Sequence, residues 1–219
     1  MAIDMLVHDM RLKGPSPRIA ANIWEVDSTV PIQHIADWSG EVARESGSLN
    51  RYVIMAHGYE DTNGHGGFGI VLGKEDLTLV TVSCFKTLRG YVDRIILFSC
   101  AAADVAPGAN HTNGDGAWLC TQLAVMTQAK VIASSATQYY SNTTFWGGVS
   151  PIDFGDWEGD VFEFSPNGNK RLLKKGGVFT KGEEPRQDEP PPVQATPQDP
   201  PPPPEIQKQL DDLLGPEIF

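Results

Sequence analysis

The chain has 219 residues, 40% of them apolar, which suffices for one domain core with an appendage. With 17 basic against 28 acidic residues its formal charge is -11, and no stretch of Lys and Arg is dense enough to neutralise a run of phosphates, which argues against nucleic acid and anionic membrane as partners. No apolar run approaches the roughly 20 residues that cross a bilayer. The N-terminal "MAIDMLVHDMRLKGPSPR" also lacks the basic-then-apolar order of an export signal. A cytoplasmic location is therefore expected, with leaderless export as the alternative.

Strand and helix signals alternate over the first 180 residues. "RIAANIWEV" (18–26) reads as a strand. "STVPIQHIADWSGEVARES" (28–46) follows, with Ser28 and Thr29 as candidate caps and Ile32, Ile35, Ala36, Val42 and Ala43 on a helical period. "YVIMA" (52–56) is an unbroken apolar run of strand length, and "GFGIVLG" (67–73) a short extended piece. "SCFKTLRGYV" (83–92) carries a helix pattern, "DRIILFS" (93–99) a second fully apolar strand, and "GDGAWLCTQLAVMTQ" (114–128) an amphipathic helix. "AKVIASSA" (129–136) is a further buried strand, and "GDVFEFSPNGNKRLLK" reads as a hairpin turning near Asn167-Gly168. Strands alternating with helices predict an α/β fold whose mainly parallel sheet is covered on both faces, a three-layer sandwich.

Composition breaks near residue 180. From Lys181 to Phe219 the chain holds 11 of the 17 prolines, with 9 acidic against 3 basic residues. Such a stretch buries too little apolar surface to offset its ordering entropy. Residues 181–204 are read as an acidic, proline-rich linker and 205–219 as a short amphipathic helix, with Ile206, Leu210, Leu213 and Leu214 on one face. That helix is too short to stand alone in water, so it is expected to dock on its own domain, a second copy or a partner.

In open parallel sheets, ligand sites form at the carboxyl ends of the strands. "YVIMA" delivers His57 to that edge and "RIILFS" delivers Cys100. Neighbouring strands lie about 5 Å apart, within reach of an imidazole and a thiol. The pair suits nucleophilic acyl transfer, because an adjacent imidazole deprotonates a thiol that is otherwise only a few per cent thiolate at neutral pH. Gly58 would let a substrate carbonyl approach the backbone, and the N–H groups of Gly58 and Cys100 would form the oxyanion hole. No metal or cofactor is required. Cys84 and Cys120 show no metal-site or disulfide spacing and read as small buried thiols. His65 and His111 read as loop residues; Asp61, Asp104, Asp115, Asp153 and Asp156 are candidates to orient the histidine or to line a specificity pocket.

The ordered set "VIMAHGYED", "GFGIVLGKEDL", "DRIILFSCAAAD", "NGDGAWLCTQLAVMTQAKVIASSATQYY" and "WGGVSPIDFGDWEGDVFEFSPNG" resembles the caspase-like cysteine peptidases of clan CD. Within them it looks closest to the bacterial domain of unknown function near the start of long surface-repeat, adhesin-like proteins. The run from Ala124 to Ser134 and Gly147-Gly148 point to that nearer relative, over about residues 52–165. The chain departs from it in reading "FSC" rather than "YGC" and in having no adhesin repeats, so a freestanding domain is expected. The resemblance implies His57 as general acid/base, Cys100 as nucleophile and the amides of Gly58 and Cys100 as oxyanion hole. It also implies a peptide substrate added as a strand along Ser135, Ala136, Thr137, Gln138 and Tyr139.

The implied function is a cysteine endopeptidase acting on a protein or peptide, in an effector or regulatory role. One alternative is a non-enzymatic interaction module that binds through the same groove and the proline-rich tail. A third reading is acyl transfer or hydrolysis on a non-protein amide with the same dyad.

Overall fold

A strand that the hydropathy pattern does not mark sits near the centre of the sheet. In the computed structural model, β1 (Ile3–Asp9) lies between β2 (Asn22–Val26) and β3 (Leu49–Met55), parallel to both. The structure describes residues 3–175 apart from 62, 143, 146, 147, 154 and 156. The tail, its expected terminal helix, Gly147 and Asp156 lie outside the described residues. After β3 come β4 (Gly58–Tyr59) and β5 (Gly69–Ile70), then β6 (Val92–Phe98), β7 (Lys130–Ser134), β8 (Thr144–Phe145), β9 (Gly148–Val149), β10 (Val161–Phe164) and β11 (Lys170–Lys174). The main sheet has seven strands in the order β11-β10-β7-β6-β3-β1-β2. From β2 to β7 every pairing is parallel; β10 and β11 join antiparallel as a hairpin. The turn falls at Gly168, whose φ of 82° only glycine adopts without strain. The α/β class and the mainly parallel sheet follow the alternation in the sequence.

Both α-helices and the one 3-10 helix named among the described residues pack on a single face of that sheet. Met5, Val7, Tyr52, Ile54, Ile95, Leu97, Val131 and Ala133 join one buried cluster with Ile32, Ile35 and Ala36 of α1 (Ile32–Glu45) and Leu119 and Leu123 of α2 (Gly116–Thr127). Phe85 and Leu88 of the 3-10 helix Val82–Leu88 belong to the same cluster. The other pleat positions, Leu6, Val53 and Met55, form a second cluster that Ile96 and Phe98 join. Leu12, Tyr140 and Ile152 close it from loops. The helical third layer expected on that face is not found among the described residues; loops occupy it.

Three local details differ from the sequence expectation. Ser28 and Thr29 do not cap α1: the amide and hydroxyl of Thr29 both turn back to Asp27, Pro31 takes the cap position, and the Ile32 N–H donates to Glu75 Oε2 at 2.9 Å. A carboxylate from a distant segment thus satisfies one of the donors that a helix start leaves open. The helix expected at 83–92 is a 3-10 helix ending at Leu88, because the chain turns at Arg89 and Gly90, where φ reaches 77°. α2 is buried on more than one side, with Leu119, Cys120, Gln122, Leu123, Ala124, Met126 and Thr127 all inside, so it is not the half-exposed amphipathic helix expected.

Asp115 caps α2 through Oδ1, which accepts from the Trp118 N–H at 2.8 Å, while Oδ2 accepts from the His111 N–H of the preceding loop at 2.9 Å. Asp115→Ala removes both acceptors and should cost about 1–2 kcal/mol. The expected readout is a lower urea midpoint with an unchanged slope.

Candidate functional site

β3 and β6 are adjacent, parallel and in register, Met55 opposite Phe98, and the Ala56 N–H donates to the Phe98 carbonyl at 3.2 Å. One step further, His57 and Cys100 leave the same edge of the sheet. Their side chains turn toward the same, loop-covered face. His57 Nε2 lies 3.1 Å from the Arg11 carbonyl and the Cys100 thiol donates to the Gln138 carbonyl at 3.6 Å, Arg11 and Gln138 both belonging to loops of that face. Both residues are half-buried rather than sealed.

Gly58 has a different reason for lacking a side chain than the one read from the sequence. A Cβ there would overlap the Cys100 carbonyl oxygen and crowd Ser99 Oγ. The space is filled by the chain's own backbone, so the glycine is needed to let the two strand ends close on each other. Cys100 then enters a sharp turn. Ala101 has φ 45°, a left-handed conformation that costs a residue with a Cβ energy. The Ala101 and Ala103 N–H groups donate to the Ala136 and Ser134 carbonyls at 2.9 and 2.8 Å, tying the turn to the end of β7. Ala101, Ala102 and Ala103 are all buried. The "AAA" after the cysteine is therefore a packing requirement whose signal, three small residues at a strand end, stands in the sequence.

The His57 ring is held in one tautomer. A carbonyl oxygen only accepts, so Nε2 carries the proton and Nδ1 is the basic nitrogen of the neutral ring. Burial pushes the imidazole below its ordinary range; the Arg11 carbonyl and the Asp9 carboxylate work against this, and the charges of Arg11 and His8 add to it. Arg11 is itself fixed. Its Nε and Nη2 donate to Asp9 at 2.8 and 2.7 Å, and Nη2 also reaches the Gly73 carbonyl at 2.7 Å and Asp76 at 3.4 Å. Asp9 is wholly buried and further accepts the N–H groups of Arg11 and Gly73. Asp76 accepts from the Leu72 N–H and the Tyr59 hydroxyl. On the other side of the loop, His8 clips Ser16 at 2.8 Å and the Leu12 carbonyl at 2.7 Å.

The segment expected to receive a substrate strand lies beside Cys100, and parts of it are already engaged. The Ser135 N–H donates to the Asp160 carbonyl at 3.0 Å, the Ala136 N–H to Ser134 Oγ at 3.3 Å and the Tyr139 N–H to Glu158 Oε2 at 3.3 Å. A substrate pairing through those three donors would have to displace these bonds. The buried Gln138 side chain bridges the Ala136 and Glu158 carbonyls. Thr137, half-buried, donates its hydroxyl to Glu60 Oε1 at 2.8 Å. Burial raises the Glu60 carboxyl, opposed by the Thr137 bond and reinforced by Asp104 and Asp61.

The remaining candidates serve local structure. Asp61 closes its own loop by accepting the N–H groups of Asn63 and His65, and His65 is exposed. Asp104 accepts from the Gly66 N–H, Asp115 caps α2, and Asp153 pairs with Ser141 and accepts from the Gly155 N–H. His111 stacks on Trp118 with centroids 3.9 Å apart. The carboxylate nearest in effect on His57 is Asp9, which the sequence did not single out. Burial raises the Cys84 thiol, and raises the fully buried Cys120 thiol further; Cys120 donates to the Ala102 carbonyl at 3.2 Å. Among the described residues no three His, Cys, Asp or Glu side chains converge as a metal site, and no helix is long and apolar enough to cross a membrane.

No protein-family model matches the chain, and no curated protein matches it significantly.

Gly58→Ala should force the ends of β3 and β6 apart, since backbone and not a flexible side chain occupies the Cβ position. A loss of roughly 1–3 kcal/mol in chemical denaturation is expected, together with altered reactivity of Cys100 toward a thiol reagent.

Proposed function

We propose that this protein is a caspase-like cysteine peptidase in which Cys100 attacks a peptide carbonyl and His57 moves the protons. The observation that supports this most directly is the pairing of β3 with β6 in a register that carries both residues to one edge, with both side chains on the same face. A structural role for either residue alone does not call for that coincidence.

The reaction runs in two halves. Nδ1 of neutral His57 accepts the thiol proton, the sulfur attacks the carbonyl carbon, and the N–H groups of Gly58 and Cys100 hold the oxyanion. The imidazolium then gives its proton to the departing amine, leaving a thioester on Cys100. Water, deprotonated by the same nitrogen, hydrolyses that thioester and returns the thiol. Because burial lowers the His57 pKa, the ring favours the neutral base over a standing thiolate–imidazolium pair. Phe98, two residues before Cys100, packs against Trp157 with centroids 4.9 Å apart and the rings tilted by 31°, which gives the loop-covered side of the site an aromatic wall.

Iodoacetamide tests the dyad. Cys100 should be alkylated ahead of Cys84 and Cys120, and His57→Ala should slow that labelling by on the order of 100-fold. A peptide-library digest should show cleavage by the wild type that disappears in Cys100→Ala. Equal labelling of the three thiols, indifferent to His57, would favour the groove as a binding module instead.

The sign of the pH dependence follows from the depressed His57. A lowered pKa leaves the imidazole deprotonated at pH values where an ordinary histidine is still charged. The acid limb of the Cys100 alkylation rate should therefore lie below the usual histidine range near pH ~6.5. A limb at or above that value would contradict the buried base.

A further inference from the structure

Resting on that reading of the site, we propose that Arg11 and Asp9 are positioning residues for His57, holding by their side chains the main-chain carbonyl that orients the imidazole. The Arg11 carbonyl is the acceptor 3.1 Å from Nε2. It lies two residues beyond β1, in a turn where the Leu12 N–H, on the same peptide unit, donates to the Asp9 carbonyl at 2.9 Å. The Arg11 side chain folds back on that turn and holds it from a second direction. Asp9 takes Nε and Nη2 of the guanidinium and, with Oδ1, the Arg11 N–H as well. One carboxylate thus grips both the main chain and the side chain of the residue whose carbonyl faces the ring.

The grip extends to the segment next to His57. Arg11 Nη2 donates to the Gly73 carbonyl, the Gly73 N–H donates to Asp9 Oδ2, and the His57 carbonyl accepts from the Val71 N–H at 2.8 Å. His57 is therefore fixed at its ring by residue 11 and at its main chain by residue 71, and Asp9 with Arg11 joins the two supports. The charges also reach the ring: the Asp9 carboxylate favours the imidazolium while Arg11 and His8 disfavour it. Asp76 and Tyr59 complete the polar groups around the guanidinium. A bidentate arginine pair with two further main-chain bonds is a costly arrangement for surface cohesion alone, since burying Asp9 strips it of water.

The test compares the full-length wild type with Arg11→Lys, Arg11→Ala, Asp9→Asn and His57→Ala. Arg11→Lys keeps the charge and loses the fork. Its Cys100 alkylation should fall on the order of tenfold at the pH plateau with the acid limb in place, the fall expected of a misplaced catalytic group. Arg11→Ala should fall further and recover in part with added guanidinium. Asp9→Asn, which removes the carboxylate that favours the imidazolium and leaves the Arg11 charge in place, should move the acid limb to lower pH. In the wild type an NMR signal of the His57 Nε2 proton should be visible and protected, and it should be lost in Arg11→Ala. Wild-type rates in both Arg11 variants would overturn the proposal, as would a loss that guanidinium does not recover and that follows the melting temperature. Because Arg11→Lys leaves the charge of the clamp intact, it decides the matter if Asp9→Asn does not fold. Should His57→Ala label Cys100 as fast as the wild type, the peptidase reading fails, and the Nε2 proton signal still reports whether Arg11 holds the ring.

Discussion

The close approach of the ends of β3 and β6 is the constraint on which the site depends. Parallel strands in register set Met55 beside Phe98, and the residues that follow can stay together only if one of them gives up its side chain. Gly58 does so against the Cys100 carbonyl. The neighbouring Ala101 accepts a left-handed turn, and the three alanines are buried where main-chain bonds tie the turn to the end of β7. Local strain at a strand end persists when the surrounding packing over-determines it, and here the β-sheet and the Ala136 and Ser134 carbonyls do so.

A second constraint is electrostatic. Asp9 has no exposed side-chain surface, whereas Arg11 keeps 34% of its own. An ion pair of this kind is not a reservoir of stability, because desolvating the carboxylate offsets much of the attraction. Its value lies in geometry: the fork of the guanidinium and the two oxygens of Asp9 admit few arrangements, and the Asp9 side chain holds Arg11 above the ordinary arginine range so that it stays charged. Asp76, itself at a left-handed φ of 61° and raised by burial, completes the ring of contacts through Tyr59.

How much of this can be read in the sequence depends on the range of the interaction. β3, β6 and β7 each carry a continuous apolar run, the hairpin carries Asn167-Gly168, and α2 falls within the helix expected over 114–128; each is a local signal and each element is found. β1 escapes because its run "IDMLVHD" is broken by His8 and Asp9, two polar groups that the sheet buries for the sake of partners elsewhere. The α1 cap escapes because Glu75 supplies it from 43 residues away. Arg11 and Asp9 escape for the same reason: Gly73 and Asp76 meet them only after β1 and β3 have paired. His57 and Cys100 are visible as strand-terminal residues, yet the sharing of one face could not be read, since a doubly buried strand shows the same apolar letters on both sides.

That sidedness matters for chemistry. A helix laid across the second face would bring its own regular, closed surface over the strand ends. Loops instead bring irregular backbone, and it is loop backbone that the His57 and Cys100 side chains meet, the Arg11 carbonyl at the imidazole and the Gln138 carbonyl at the thiol. Main-chain carbonyls are fixed acceptors that carry no net charge, so they orient a ring or a thiol without adding a titrating group to the site. Charged partners stand one step back, Asp9 and Arg11 behind the first carbonyl and Glu158 behind the second segment. The helical face supplies stability through Phe85, Leu119 and their neighbours, while the loop face is left to set the directions of two side chains. The seven-stranded sheet thus separates the two tasks across its thickness, and substitutions on one face should disturb the other only where they move β3 or β6.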